Sequence, residues 1–269
     1  NLEKMINAVE ETQKRGLNRA EHRLHLRCEL PHHTTLPLFE KLVGREPVTL
    51  VSLMDHSPGQ RQFANREKYR EYYQGKYSLT DAQMREYEEE QLALAARWSQ
   101  PNRTAIAGMC RERQIALASH DDATHDHVVE SHLLGSVIAE FPTTFEAAES
   151  SRRHGMNVLM GAPNIVRGGS HSGNVAASKL ASLGLLDILS SDYYPASLLD
   201  AAFRVADDES NRFTLPQAVK LVTKNPAQAL NLQDRGVIGE GKRADLVLAH
   251  RKGNHIHIDH VWRQGKRVF

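Results

Sequence analysis

Cysteine is scarce. Two in 269 residues, Cys28 and Cys110, cannot make a disulfide framework and fit a reducing cytoplasm. Long apolar runs are missing as well. The longest are about strand length, well short of the roughly 20 residues a membrane-spanning helix needs, so no membrane partner is expected. Neither sign of charge dominates: 34 Lys and Arg against 33 Asp and Glu leave a net charge of +1, which argues against a general nucleic-acid binder. No signal peptide is expected, because Asn1-Leu2-Glu3-Lys4 leads into an amphipathic helix with apolar Leu2, Met5, Ile6 and Val9. Low-complexity segments are absent too. At 40% hydrophobic and 25% charged residues the chain reads as a globular, water-soluble protein: one large domain, or one with a small appendage.

Histidine, by contrast, is plentiful: fifteen, several at the ends of apolar runs. The most informative stretch is Gln114 to His127. Ile115 to Ala118 is a short apolar run suited to a strand buried on both faces. It stops on Ser119-His120-Asp121-Asp122, and Thr124 then caps a helical pattern through Val128, Val129 and Leu133. Such a strand places polar side chains at the C-terminal mouth of an α/β sheet, where these folds put their chemistry.

The same plan recurs. Strands are expected at 24–29, meeting Pro31; at 48–54, running into Asp55-His56-Ser57-Pro58-Gly59; at 135–141; at 158–161; and at 185–190, ending in Ser191-Asp192-Tyr193. Helices are expected at 35–43 and 144–154. Residues 61–113 form a helical insertion over the mouth, with a Thr80–Gln83 capping box. It is mostly a solvated charged face, a lid being the sharper reading. Six strand-to-helix units imply a parallel sheet with right-handed crossovers, and so many favour a closed barrel over an open sheet. A full barrel needs eight strands, so two would have to precede Asn1. The predicted layout is an incomplete barrel over 1–204, helices over 205–235 opened by a Thr214–Gln217 capping box, and a remnant β-sandwich over 236–269. Its short β runs are 236–238, 244–248, 261–262 and 268–269.

Four strand ends offer metal-ligand types: Glu29, His56, His120 and Asp192. Two carboxylates and two imidazoles suit zinc or manganese at a hydrolytic site. A lone histidine at a strand mouth is more often a satisfied polar residue; the specificity lies in the set of four. His56 is preferred to its neighbour Asp55, and Asp121 is placed behind a liganded histidine. His125 and His127 on a helical first turn and His255/His257 on a β edge read as ordinary polar residues, whereas His32-His33, following Pro31 near Glu29, are placed within reach of the rim. Within Asn164 to Asn174, glycine N–H groups with Arg167, Ser170 and His171 suit a phosphate cradle, reinforced by Arg61 beyond the His56 mouth; the plain alternative is a flexible loop. Ser57 and Ser119 lack the setting of a nucleophile elbow.

The tail TLPQAVKLVTKNPAQALNLQDRGVIGEGKRADLVL, Thr214 to Leu248, resembles the closing segment of the amidohydrolase superfamily. LRCELP, VSLMDHSPGQRQF, ASHDDATHDHV, IAEFPTTFEAA, VLMGAPNIVRGGSHSGNVAA and LSSDYYPASLL resemble, nearly end to end from Leu24, a member of that superfamily from phosphonate metabolism in the carbon–phosphorus lyase pathway. The resemblance implies a (β/α)8 TIM-like barrel with part of a small β-sandwich, in the α/β class. It implies a divalent metal on Glu29, His56, His120 and Asp192, with Asp192 also moving the proton. The implied reaction is hydrolysis of a small-molecule ribosyl triphosphate with release of pyrophosphate; by residue type, Arg167 and His171 would steady the leaving pyrophosphate. A homo-oligomer is compatible with this reading. The family's first strand carries a His-x-His metal pair that has no counterpart here, so the chain is expected to be a fragment, impaired on its own. The rival readings are an amide or cyclic-amide hydrolase or deaminase on the same scaffold, and a metal-free truncated subunit acting as a binding partner.

Overall fold

The computed structural model describes residues 2–170, 173–253 and 255–269; the expected phosphate ligand His171 lies outside them. The chain divides into two compact units, a first of residues 25–44 and 50–159 and a second of residues 1–24, 45–49 and 160–269.

Six strands follow one another in the order β1-β2-β3-β4-β5-β6: β1 Leu24–Glu29, β2 Val48–Met54, β3 Ala116–His120, β4 Ile138–Glu140, β5 Asn157–Gly161 and β6 Ile188–Ser190. Sequential order is that of a barrel wall, whereas a doubly wound sheet reverses at a switch point. β2 to β5 pair in parallel, with Ser52 opposite Ala118, His120 opposite Glu140, and Glu140 opposite Leu159. This register brings the polar last residues of neighbouring strands side by side.

In the first unit, helices Thr35–Leu42, His125–Leu133 and Phe145–Arg153 follow β1, β3 and β4. Thr124 and Thr144 accept the N–H groups of His127 and Ala147 as caps, satisfying donors that a helix start leaves free. The strands expected over 135–141 and 185–190 are shorter than predicted. Gly135 (φ +93°) and Gly184 (φ +69°) instead turn the chain out of the preceding helices, a conformation open to glycine.

The long connection from β2 to β3 holds a short 3-10 turn Arg61–Phe63 and helices Arg66–Tyr77 and Asp81–Glu112. Expected as mostly solvated, it carries a buried stripe of Met84, Glu88, Asn102, Arg103, Ile106, Ala107 and Cys110. Asn102 Nδ2 donates to the carbonyls of Leu30 (2.8 Å) and His32 (3.0 Å), so the last half of this helix is the crossover itself, tied to the end of β1. The first half closes an aromatic cluster of Phe63, Tyr69 and Met84 with Tyr73, Leu79 and Tyr87.

In the second unit, helix Ser197–Asp207 buries Ser197, Ala201, Ala202 and Val205. The expected capping box at Thr214–Gln217 is formed. Strands β7 Leu246–Lys252, β8 His255–Arg263 and β9 Lys266–Arg267 make an antiparallel sheet in the order β7-β8-β9. The expected strand at 236–238 is irregular, bent backbone. Gly236 (φ +86°) is pressed against the helix Lys224–Ala229, where a Cβ would come within 2.9 Å of the Ala227 side chain. His255 and His257 are exposed on β8, opposite Lys252 and His250 of β7, on a stretch whose other side β9 does not reach. Among the described residues no helix is long and apolar enough to cross a membrane.

Candidate metal centre

Strand β1, LHLRCE, alternates, and alternate side chains leave a strand on opposite faces. Leu26 and Cys28 are buried on one. His25, Arg27 and Glu29 share the other, and each meets a polar partner from β2, from β3 or from the turn that follows β2. Glu29 Oε2 is 2.6 Å from His56 Nδ1 and its Oε1 accepts the His56 backbone N–H at 3.0 Å. Arg27 Nη2 is 3.1 Å from His120 Nε2. His25 Nε2 is 2.5 Å from Ser52 Oγ.

His56 lies two residues past β2. The adjacent Asp55 points elsewhere and accepts from the Ser57 backbone N–H and hydroxyl. His120 is the last residue of β3 and 4% exposed; its Nδ1 is 2.7 Å from Glu140 Oε2. Each imidazole is therefore held from behind at Nδ1 by a carboxylate, an arrangement that fixes ring orientation and directs Nε2 forward. The two Nε2 atoms face one carboxylate oxygen: Asp121 Oδ2 lies 3.3 Å from His120 and 3.7 Å from His56. Asp121 reaches this position from a left-handed backbone, φ +56°, which aspartate tolerates better than most residues.

Ligand atoms of His56, His120 and Asp121 all lie within 4.8 Å of one another. Donors about 2.0–2.1 Å from a tetrahedral zinc stand roughly 3.4 Å apart, close to the two distances from Asp121. Two borderline nitrogens and a hard oxygen suit zinc or manganese. The residues present therefore fit a divalent cation.

Electrostatics follow the same geometry. Burial alone would raise the Glu140 carboxyl, but hydrogen bonding and charge from His120, with smaller help from His25 and the Ser52 hydroxyl, bring it down to about 2. Burial would lower His56; hydrogen bonds to Asp121 and Glu29 prevail and raise it to about 9. A cation at this point takes over the charge that the His56 proton otherwise supplies.

Of the expected ligands, Glu29, His56 and His120 gather here, with Glu29 against His56 Nδ1 on the side of the ring away from Asp121. Asp192 belongs to the second unit. It follows β6 with φ +45°, and its Oδ2 is 3.8 Å from where a Cβ on Gly161 would sit, at the end of β5. Asp121, expected behind a histidine, stands in front of two.

The phosphate set is placed differently from expectation. Arg61 is 2% exposed and its guanidinium is ion-paired with Asp122 and Glu130, so it anchors the long connection instead of facing solvent. The stretch after β5 opens as a helix, Ala162–Arg167. Gly168 and Gly169 then donate their N–H groups to the carbonyls of Ile165 and Asn164, which close the helix end and are not open to an anion. Arg167 remains exposed, its Nη1 donating to the Tyr193 hydroxyl at 2.9 Å. Ser170 Oγ accepts from the Asn174 backbone at 3.2 Å.

Three of the other histidines are satisfied locally: His125 meets Ser150, His127 accepts from Ala123, and His32 from Thr34. Glu140, Ser52, Arg27 and His25 were missed from the sequence. Glu140 had a signal, since it closes the apolar run Ile138-Ala139 just before Pro142, as Glu29 closes β1 before Pro31.

The amidohydrolase family model matches residues 20–269. Over all 269 residues the chain is 93% identical to alpha-D-ribose 1-methylphosphonate 5-triphosphate diphosphatase of Escherichia coli (strain K12), and it spans 71% of that protein. Among solved structures, an amidohydrolase from Thermotoga maritima MSB8 matches at 18% identity and a TM-score of 0.50, over 86% of this chain and 64% of that one. A 5-methylcytosine deaminase from Klebsiella pneumoniae matches at 13% identity and a TM-score of 0.49, over 97% and 75%. Sequential strands, polar strand ends and a family match over nearly the whole length agree: the chain belongs to the amidohydrolase family.

Proposed function

We propose that this protein hydrolyses alpha-D-ribose 1-methylphosphonate 5-triphosphate to the 5-phosphate and pyrophosphate, in the cytoplasm, with zinc or manganese held by His56, His120 and Asp121. Glu29 stands against His56 in the same unit, and the family resemblance assigns Asp192 as a further ligand. The bound cation supplies polarisation of a phosphoryl oxygen and relief of charge as the anhydride breaks. The chain's own residues do the rest. Glu29 and Glu140 hold the two imidazoles in place, and Asp192 accepts the proton of the attacking water, as the family resemblance assigns. Arg167 offers an exposed guanidinium to phosphate oxygens. Arg61, buried between carboxylates, serves by fixing the long connection.

The observation that carries this reading is the pair of carboxylate-anchored imidazoles aimed at Asp121, in a chain 93% identical to the Escherichia coli diphosphatase. Pyrophosphate release from the ribosyl triphosphate, measured with added zinc or manganese, tests it. Release that disappears in His120→Ala supports the reading. Ring opening of a cyclic amide without pyrophosphate release would replace it with the amide-hydrolase reading.

A further inference from the structure

His25 lies one strand repeat behind Arg27, and the proposed reaction gives it no task. Its Nε2 is 2.5 Å from Ser52 Oγ. The Ser52 hydroxyl donates to Glu140 Oε2 at 2.8 Å, and the same oxygen is 2.7 Å from His120 Nδ1. Four side chains from β1, β2, β4 and β3 thus form one continuous line. Ser52 is fully buried, Glu140 is 5% and His120 4% exposed, so bulk water does not offer them other partners.

Counting hydrogens fixes the direction of every bond. A serine hydroxyl has one hydrogen to give, and a carboxylate has none. With the Ser52 hydrogen on Glu140, His25 must be the donor to Ser52, through Nε2–H. Glu140 then receives a second hydrogen from His120 Nδ1. At the far side of that ring two groups compete: Arg27 Nη2, which only donates, stands 3.1 Å from Nε2, and Asp121 Oδ2, which only accepts, stands 3.3 Å from it; the shorter Arg27 contact assigns Nε2 its lone pair. The two histidines are left in opposite tautomers.

We propose that Glu140, backed by Ser52 and His25, is a positioning group that locks His120 in the Nδ1–H tautomer with the Nε2 lone pair facing Asp121. Its consequence for cation affinity rests on the reading given under Proposed function; the tautomer assignment does not. A Nδ1–H imidazole is the form that ligates through Nε2, and losing the group behind it typically costs 10- to 100-fold in affinity.

Long-range nitrogen–proton NMR on protein labelled at histidine nitrogens, without added metal, reads the tautomers directly, the signals being assigned with His25→Phe and His120→Ala. Nδ1–H at His120 and Nε2–H at His25 are expected; the reverse tautomer at His120, or averaging between the two, overturns the proposal. In Ser52→Ala, a change small enough to keep the fold, His25 should lose its fixed tautomer while His120 keeps its own. Zinc affinity, measured by chelator competition, should fall about 10- to 100-fold in Glu140→Gln and recover in part in Glu140→Asp. If the wild type binds no zinc but shows the expected tautomers, the cation reading fails and the positioning line stands. If zinc binding is lost in His120→Ala yet unchanged in Glu140→Gln, the line has no positioning role and the cation reading stands.

Discussion

In the first unit Arg61 and Arg103, 2% and 4% exposed, face Asp55, Asp122 and Glu130. In the second unit the ion pairs Arg251–Asp207, Arg204–Asp200 and Arg235–Asp234 lie near or at the surface. The residue types are the same and the physics is not. A guanidinium removed from water must find carboxylates, and removing one partner strands the other charge in a medium that does not solvate it. A surface pair is screened by water and salt and contributes little. Both units use such residues to set one segment against another, Arg243 meeting Glu21 in the second, but among the described residues only the first does so with guanidinium groups almost wholly removed from water.

The largest effect should come from Arg61→Met, which leaves Asp122 and Glu130 facing an apolar side chain. A loss of about 3–5 kcal/mol in urea unfolding is expected, and a loss under about 1 kcal/mol would erase the contrast drawn above. Removing the stranded acid as well, in Arg61→Met with Asp122→Leu, should restore much of that loss.

Next comes Gly236→Ala in the second unit. Its φ of +86° and the 2.9 Å approach to Ala227 predict a destabilisation on the order of 1–3 kcal/mol, placing that unit's sensitive point in its backbone. A Tm equal to wild type would contradict this. Acid should act more weakly. Hydrogen bonds from Arg251 and Arg235 hold the Asp207 and Asp234 carboxyls below their ordinary range. Their contribution is complete above the unfolded-state value and disappears as pH falls through the lower folded-state one, so their share of the unfolding midpoint, read as the difference between wild type and Asp207→Asn with Asp234→Asn, should be flat near neutrality and shrink below about pH 4. Salt should mute this decline. Smallest of all, Arg251→Ala should leave the thermal midpoint where it is.

The strand order and most helix starts were legible because they rest on local signals: apolar runs of strand length, Thr caps, capping boxes and Pro stops. His56 and His120 were legible as strand-end residues. The groups behind them were harder to read: Glu140 carried only the signal of a strand end before a proline, and Ser52 becomes meaningful only through register, which is a property of two strands at once. Arg61 was misread for a similar reason. A charged residue in a charged stretch looks solvated until the chain brings Asp122 and Glu130 to it. The glycines after Arg167 promised free amides, but a six-residue helix ahead of them takes those amides for its own C-terminal end. The expected phosphate cradle thus turned on one helical turn that the glycines of the loop conceal.

The alternation along β1 has a consequence for how this segment tolerates change. Substitutions at Leu26 or Cys28 alter packing alone, and those at His25, Arg27 or Glu29 alter one contact each. Deletion of a single residue between 24 and 29 would do something of another order: it would exchange the two sets, presenting thiol and isobutyl groups to the histidines and burying an imidazole and a guanidinium among helices. For this hexapeptide, parity is a stricter requirement than identity.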